Sequence, residues 1–173
     1  SGLGSMDGGF SLALAEDGTV WGWGSNNVGQ LGQATSLEDA ERPTPTAIPS
    51  LSGVKQIAAG WGDAFALVEG GKLFGWGDTL AGGAGDGRCN FPEPILPTEI
   101  LVDEAAFVTA GRNYGLAVRL DGTLWGWGAD ATGVLGDGTT GVTVDCNHDF
   151  EAVENIRPDP VQAIGLTGVV LVS

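Results

Sequence analysis

Trp21-Gly22-Trp23-Gly24 returns as Phe74-Gly75-Trp76-Gly77 and again as Trp125-Gly126-Trp127-Gly128, and no other feature constrains the fold as tightly. Each copy closes the same phrase: an alternating apolar run, a tight turn, then the aromatic-glycine run. A chain that repeats itself at such a spacing is built from stacked units, each with an apolar face that only a neighbour can cover. One central catalytic constellation is the wrong thing to look for in it.

The alternating runs are Phe10 to Ala15, Ala64 to Val68 and Leu116 to Leu120, the period-two signature of half-buried strands. Asp17-Gly18-Thr19, Glu69-Gly70-Gly71-Lys72 and Asp121-Gly122-Thr123 supply the turns, where positive φ is tolerated. Val20, Leu73 and Leu124 then open the returning strands. Arg42-Pro43-Thr44-Pro45, Phe91-Pro92-Glu93-Pro94 and Arg157-Pro158-Asp159-Pro160 close the three units, prolines that suit an edge strand because they need no N–H.

Units beginning at Ser1, Ser52, Asp103 and Thr167 divide the chain into 1–51, 52–102, 103–166 and the start of a fourth at 167–173. The extra length of the third lies between its aromatic-glycine run and its Pro-x-Pro phrase, as an acidic insertion from Val142 to Glu154. Insertions confined to one loop mean that this loop faces solvent while the rest packs. Four short antiparallel strands per unit predict an all-β protein of propeller blades. In this reading Trp21, Trp23, Phe74, Trp76, Trp125 and Trp127 are structural. They fill the gaps between sheets, each burying roughly 150–250 Å², and the intervening glycines let backbones crowd near a propeller axis. An aromatic platform for carbohydrate is the rival reading of these rings.

Composition agrees. There are 31 glycines without a Gly-X-Y period, which excludes collagen, and 42% apolar residues, too many for a disordered chain. Twenty-two acidic against seven basic residues give a net charge of −15, a surface that repels nucleic acid and anionic membranes. No apolar run reaches the ~18–20 residues that span a bilayer, so no membrane insertion is expected.

Taken together, these phrases resemble the regulator of chromosome condensation repeat family. The carrying residues are Ala59-Gly60, Leu12-Ala13-Leu14, Asp17-Gly18-Thr19, Trp21 to Gly24, Gly29-Gln30-Leu31-Gly32 and Pro43-Thr44-Pro45. The resemblance implies about three blades of a seven-bladed β-propeller. Gly82-Gly83-Ala84-Gly85 departs from the family's Gly-x-Leu-Gly. Three blades cannot close a ring, so the chain is expected to be an excerpt of a longer protein, or to be completed by copies or partner chains.

No catalytic residue is expected. His148 is the single histidine and stands in a polar loop, with no Gly-x-Ser-x-Gly elbow anywhere and no Gly-rich phosphate loop followed by Lys-Ser/Thr. Asp137, Asp145, Asp149 and Glu151 lack the order of a calcium loop, so neither a metal nor a cofactor is expected. Cys89 and Cys146, each followed by Asn in the variable loop of consecutive units, are candidates for a disulfide.

The functional reading is a non-enzymatic interaction or scaffold module. Its rim loops, with candidate residues Asp86, Arg88, Asp137, Asp145, His148 and Asp149, recognise a protein partner. An extracellular, bacterial surface or structural protein is the alternative, and a lectin using Trp61 and Tyr114 a third. Low lysine content and paired loop cysteines point to an extracellular or cell-surface location, with the cytoplasm as the alternative.

Overall fold

The computed structural model describes residues 9–33, 41–79, 82–89, 96–146 and 153–173. It is all-β among these residues, with three antiparallel sheets following one another along the chain. The first sheet holds β1 (Phe10–Leu14), β2 (Val20–Ser25) and β3 (Glu41–Ala47) in chain order. The second holds β4 (Val54–Ala59), β5 (Asp63–Val68), β6 (Leu73–Gly77) and β7 (Thr98–Ile100). In the third, β8 (Ala105–Ala110), β9 (Tyr114–Arg119) and β10 (Leu124–Ala129) are followed outward by β12 (Val153–Gln162) and then β11 (Val142–Val144).

The fifth strand corrects the four-strand expectation for this blade. Part of the acidic insertion is not loop: Val142 and Val144 pair with Ile156 and Val153 on the outer edge. The expected opening strand of a fourth unit is also absent. Residues 163–173 form no strand, because no neighbour among the described residues pairs with them. Two of the Pro-x-Pro phrases fall at bulges, one on the edge strand β3 and one on β12, which is covered by β11 and so is not an edge. Phe91-Pro92-Glu93-Pro94 lies outside the described residues. Ladder pairing skips between Gly22 and Gly24 opposite Thr46 and Arg42, and between Gly126 and Gly128 opposite Val161 and Arg157. Pro43, Pro45, Pro158 and Pro160 occupy those bulges, where no N–H is asked of them.

Alternation along the strands makes each sheet two-faced, and the core lies between sheets. Phe10, Leu12, Leu14, Val20 and Ile48 of the first sheet meet Ala64, Ala66, Phe74 and Trp76 of the second. On the opposite face of the second sheet, Phe65, Leu67, Leu73 and Ile100 meet Ala117, Trp125 and Trp127 of the third. Phe65 and Trp127 touch edge to face at 5.2 Å between centroids, the arrangement the ring quadrupoles favour. The tight turns stitch the sheets at one end, with Ala105 N–H donating to Gly71 C=O at 2.9 Å. Between the strands, the Gln56 amide bridges β4 to β8 by donating to Val108 C=O and accepting from Val108 N–H.

The glycines of the aromatic run let backbones crowd together, as expected. In the second and third sheets the run is the third strand from the β4 and β8 edge. The last glycine of each run has φ near +100°: Gly24 at 104°, Gly77 at 107° and Gly128 at 98°. A Cβ on Gly77 would stand 2.1 Å from the Gly62 carbonyl oxygen. Only glycine tolerates both the dihedral and the contact.

Candidate functional site

Antiparallel succession sorts the connections. Tight turns lie at one end of the sheets, and the loops after β4, β6, β8 and β10 lie at the other. The loops after β2 and β6 first run back over a sheet face, Leu31 over Gly22 and Ala84 over Gly75.

Their first segments form cradles. Gly29-Gln30-Leu31-Gly32 receives Trp76 of the next blade, whose indole N–H donates to Gln30 C=O at 2.9 Å. Gly82-Gly83-Ala84-Gly85 receives Trp127, whose N–H donates to Gly83 C=O at 3.1 Å. Both indoles are fully buried. A Cβ on Gly85 would lie 2.5 Å from the Trp127 ring, so these glycines are the cradle wall itself. The loops are held from beneath by side chains just past each aromatic strand: Asn26 Oδ1 accepts from Leu31 N–H, and Asp130 Oδ1 from Leu135 N–H. The six aromatics are thus unequal. Trp76 and Trp127 are the plugs, whereas Trp23, Phe74 and Trp125 are half-buried and Trp21 is 39% exposed.

Beyond the cradles lie the candidate rim residues. Arg88 pairs with Asp86, its Nε donating at 2.6 Å, and reaches the Thr98 hydroxyl. Asp137 repeats the Asp86 position one blade on and pairs with Arg157, whose Nε and Nη2 lie 2.8 and 2.7 Å from Oδ2. Burial raises the Asp137 carboxyl, but hydrogen bonds from Thr139 and Arg157 outweigh it and hold the group below its usual value. Cys89 and Cys146 are joined as a disulfide with Cα atoms 5.2 Å apart, covalently linking the loops of the second and third blades. Gly87 N–H also donates to Pro158 C=O across the same junction. Asp145, next to the bridge, is exposed. His148, Asp149 and Glu151 lie outside the described residues. Among the described residues no three metal-ligating side chains come together.

Nearer the β4 and β8 edge, the loop end carries Trp61 and Arg112. The Arg112 guanidinium sits over the indole, 5.3 Å from the ring centroid, a cation–π contact. Tyr114 is not a matching sugar platform. Its ring lies against Gly111, where a Cβ would come within 2.1 Å, and it packs into the core cluster of the third blade.

Sequence reasoning missed one group here. Asp63 opens β5 fully buried, with no hydrogen-bond partner for either carboxylate oxygen. Burial raises its carboxyl well above the usual value, and Asp78 raises it further. It lies directly under the second cradle, where a Cβ on Gly83 would approach Asp63 Oδ1 to 2.4 Å. Position gave no signal of this, because the equivalent strand residues are Phe10 and Tyr114.

Sheets of this size, stacked face to face and interlocked by a repeated tryptophan, define a β-propeller repeat protein. A family model described as the regulator of chromosome condensation repeat matches residues 17–67. The mitochondrial RCC1 domain-containing protein RUG3 of Arabidopsis thaliana is 39% identical over 130 residues, covering 72% of this chain and 28% of the relative. The human E3 ubiquitin-protein ligase HERC2 is 33% identical over 138 residues, covering 75% of the chain and 3% of the relative. The crystal structure of Prp20p from Saccharomyces cerevisiae superposes with a TM-score of 0.66 at 23% identity, over 90% of this chain and 37% of that one. The chain belongs to the regulator of chromosome condensation repeat family. It spans about a third or less of the relatives it matches.

These relatives overturn the extracellular or cell-surface expectation. RUG3 is mitochondrial, and the Prp20p study concerns binding to Gsp1p and histones. The inference failed because acidity and low lysine content are solvation properties, indifferent to compartment, and two cysteines are too few to report one.

Proposed function

We propose that this segment is a non-catalytic protein-recognition module whose loop end supplies the contact surface. The observation that carries the reading is the division of labour within each unit. The strand faces are consumed by blade packing and the turn end offers mostly short turns that repeat from unit to unit, whereas the loop end presents Trp61, Arg112 and the rim pairs Arg88–Asp86 and Arg157–Asp137 on a scaffold tied by Cys89–Cys146. An aromatic and an arginine on an ordered loop are the residue types that dominate binding energy at protein interfaces. Prp20 has been seen bound to Kap60, which supports a protein partner for a blade array of this kind. A net charge of −15 favours a partner with a basic surface over nucleic acid.

A crosslinking map of the chain with its captured partner tests this. Crosslinks are expected at the loop end, and Trp61→Ala with Arg112→Ala should weaken capture while a turn-end change such as Lys72→Ala leaves it unaltered. Crosslinks confined to the turn end would refute the reading.

A further inference from the structure

The turn end repeats from unit to unit except where the second blade passes into the third. Ile48 and Ile100 occupy the same place beyond the outer strand, each beside the first residue of the aromatic strand. From Ile48 to Val54 the passage exposes Pro49, Ser50, Ser52 and Gly53. From Ile100 to Ala105 it is one residue shorter, and Val102 N–H donates back to Ile100 C=O at 2.8 Å, closing a three-residue turn. That turn leaves Leu101 81% exposed. Glu104 follows at φ 53°, where the equivalent Gly53 has 64°, a region that glutamate seldom adopts. Leu120, whose N–H donates to Glu104 C=O, is 73% exposed, whereas its equivalents in the other turns are the exposed Glu16 and Glu69. Three departures from the repeat thus meet at one place. Stacking needs none of them, since the first passage joins its blades without them.

Both flanking blades are present at this junction. Glu69 stays exposed with a blade packed beside it, so the equivalent Leu120 does not belong to a face that stacking covers. A groove of about 120 Å³ opens here, lined by Leu101, Val102, Asp103, Arg119 and Trp125. It is smaller than the roughly 300–1,000 Å³ of small-molecule sites and suits one apolar side chain. Trp125 gives it an apolar wall, the indole N–H being committed to Thr123 Oγ1 at 3.2 Å. Arg119 is committed too: its Nε donates to Asp103 C=O, its Nη1 to Asp121, and its Nη2 lies 3.7 Å from Glu104. Three exposed carboxylates, Asp103, Glu104 and Asp121, therefore stand about the groove against one guanidinium. The neighbouring Lys72 is paired with Glu99.

We propose that this junction is a docking groove for a short basic segment of a partner protein. One apolar side chain of that segment seats against Leu101 and Trp125, and its flanking lysines or arginines face Asp103, Glu104 and Asp121. The exposed leucines supply the apolar contact, and the carboxylates select the sign of the flanking charges. The groove lies at the opposite end of the sheets from Trp61 and Arg112, and it stands independently of the loop-end reading above.

Fluorescence anisotropy of labelled peptides titrated with the full chain tests it. The probes carry a central Leu, Phe or Trp between lysines or arginines, and matched peptides carry glutamate in place of the basic residues. The basic peptides are expected to bind, and the acidic ones about tenfold more weakly. Leu101→Ser and Leu120→Gln change exposed side chains without changing charge and should fold as wild type does. Together they should weaken binding about tenfold. Asp103→Asn should weaken it about threefold, by less as salt rises. Trp61→Ala with Arg112→Ala should leave it unaltered, which separates this groove from the loop end. Basic peptides that fail to bind, acidic peptides that bind equally well, leucine variants that bind like wild type, or a loss caused by the Trp61 and Arg112 changes would each overturn the proposal.

Discussion

The two seams between blades use the same plug but close around it differently. In the first, Leu31 is fully buried and fills the space above β2, so that a Cβ on Gly22 would meet the ends of the Leu31 and Leu12 side chains at 3.2 and 3.3 Å. In the second, Ala84 replaces the leucine and the loop backbone itself drops onto the strand. A Cβ on Gly75 would come within 2.1 Å of the Ala84 carbonyl oxygen. The second seam carries the disulfide Cys89–Cys146 and has the buried carboxylate of Asp63 beneath its cradle. What looked in the sequence like a decayed motif, Gly82-Gly83-Ala84-Gly85, is thus a tighter version of the same joint. Closeness of backbone takes the place of side-chain volume.

Removing the plugs should have the largest effect. Trp76→Ala and Trp127→Ala are each expected to cost about 3–5 kcal/mol by urea unfolding, Trp127 the more because it also loses its edge contact with Phe65. Negligible losses at both would mean that the seams are not the source of the array's stability, and equal losses that the Phe65 contact adds nothing.

Next comes the covalent difference. The bridge closes a segment of 57 residues, for which restriction of the unfolded chain stabilises by about 2–4 kcal/mol. The double change Cys89→Ser with Cys146→Ser should lower Tm accordingly and make it insensitive to reductant. A wild-type Tm that already ignores reductant would remove the bridge from the account.

A methyl group then reads the two closures directly. Gly75→Ala must push against backbone and should cost about 1–3 kcal/mol, whereas Gly22→Ala meets movable side-chain ends and should cost less than about 1 kcal/mol. The reverse order would show that the second seam is the looser one.

The smallest effect is electrostatic. Because Asp63 holds its proton more tightly folded than unfolded, the unfolded chain gains stability as pH rises from the ordinary carboxylate value of 3.8 toward the raised value in the fold. Wild-type stability therefore falls across that interval. Asp63→Asn lacks this titration and should melt higher than wild type near pH 7, with the gain shrinking toward pH 4. A gain independent of pH would place the effect elsewhere.

Much of the fold was legible because its signals are local. Alternation in Phe65-Ala66-Leu67, turn chemistry in Asp121-Gly122-Thr123 and the bulge prolines at 158 and 160 each act within a few residues, and the strands fall where they point. The rim site was legible only in part. The variable loops could be located by their unequal length, but the pairing of Arg157 with Asp137 joins residues 20 apart through a bulged strand. The cation–π pair of Trp61 and Arg112 spans two blades, and neither contact leaves a periodic trace.

The amino-acid sequence by itself determined the unit, its strands and turns, and the fact that units must stack, since alternation leaves each sheet with two apolar faces. Only the tertiary structure decided that Trp76 and Trp127 are plugs while Phe74 and Trp125 are flanking contacts. Both members of each pair point to the same face of the strand, at a spacing of two. What separates them is the carbonyl of a loop some 45 residues earlier, Gln30 for Trp76 and Gly83 for Trp127, and that meeting exists only once the blades have stacked.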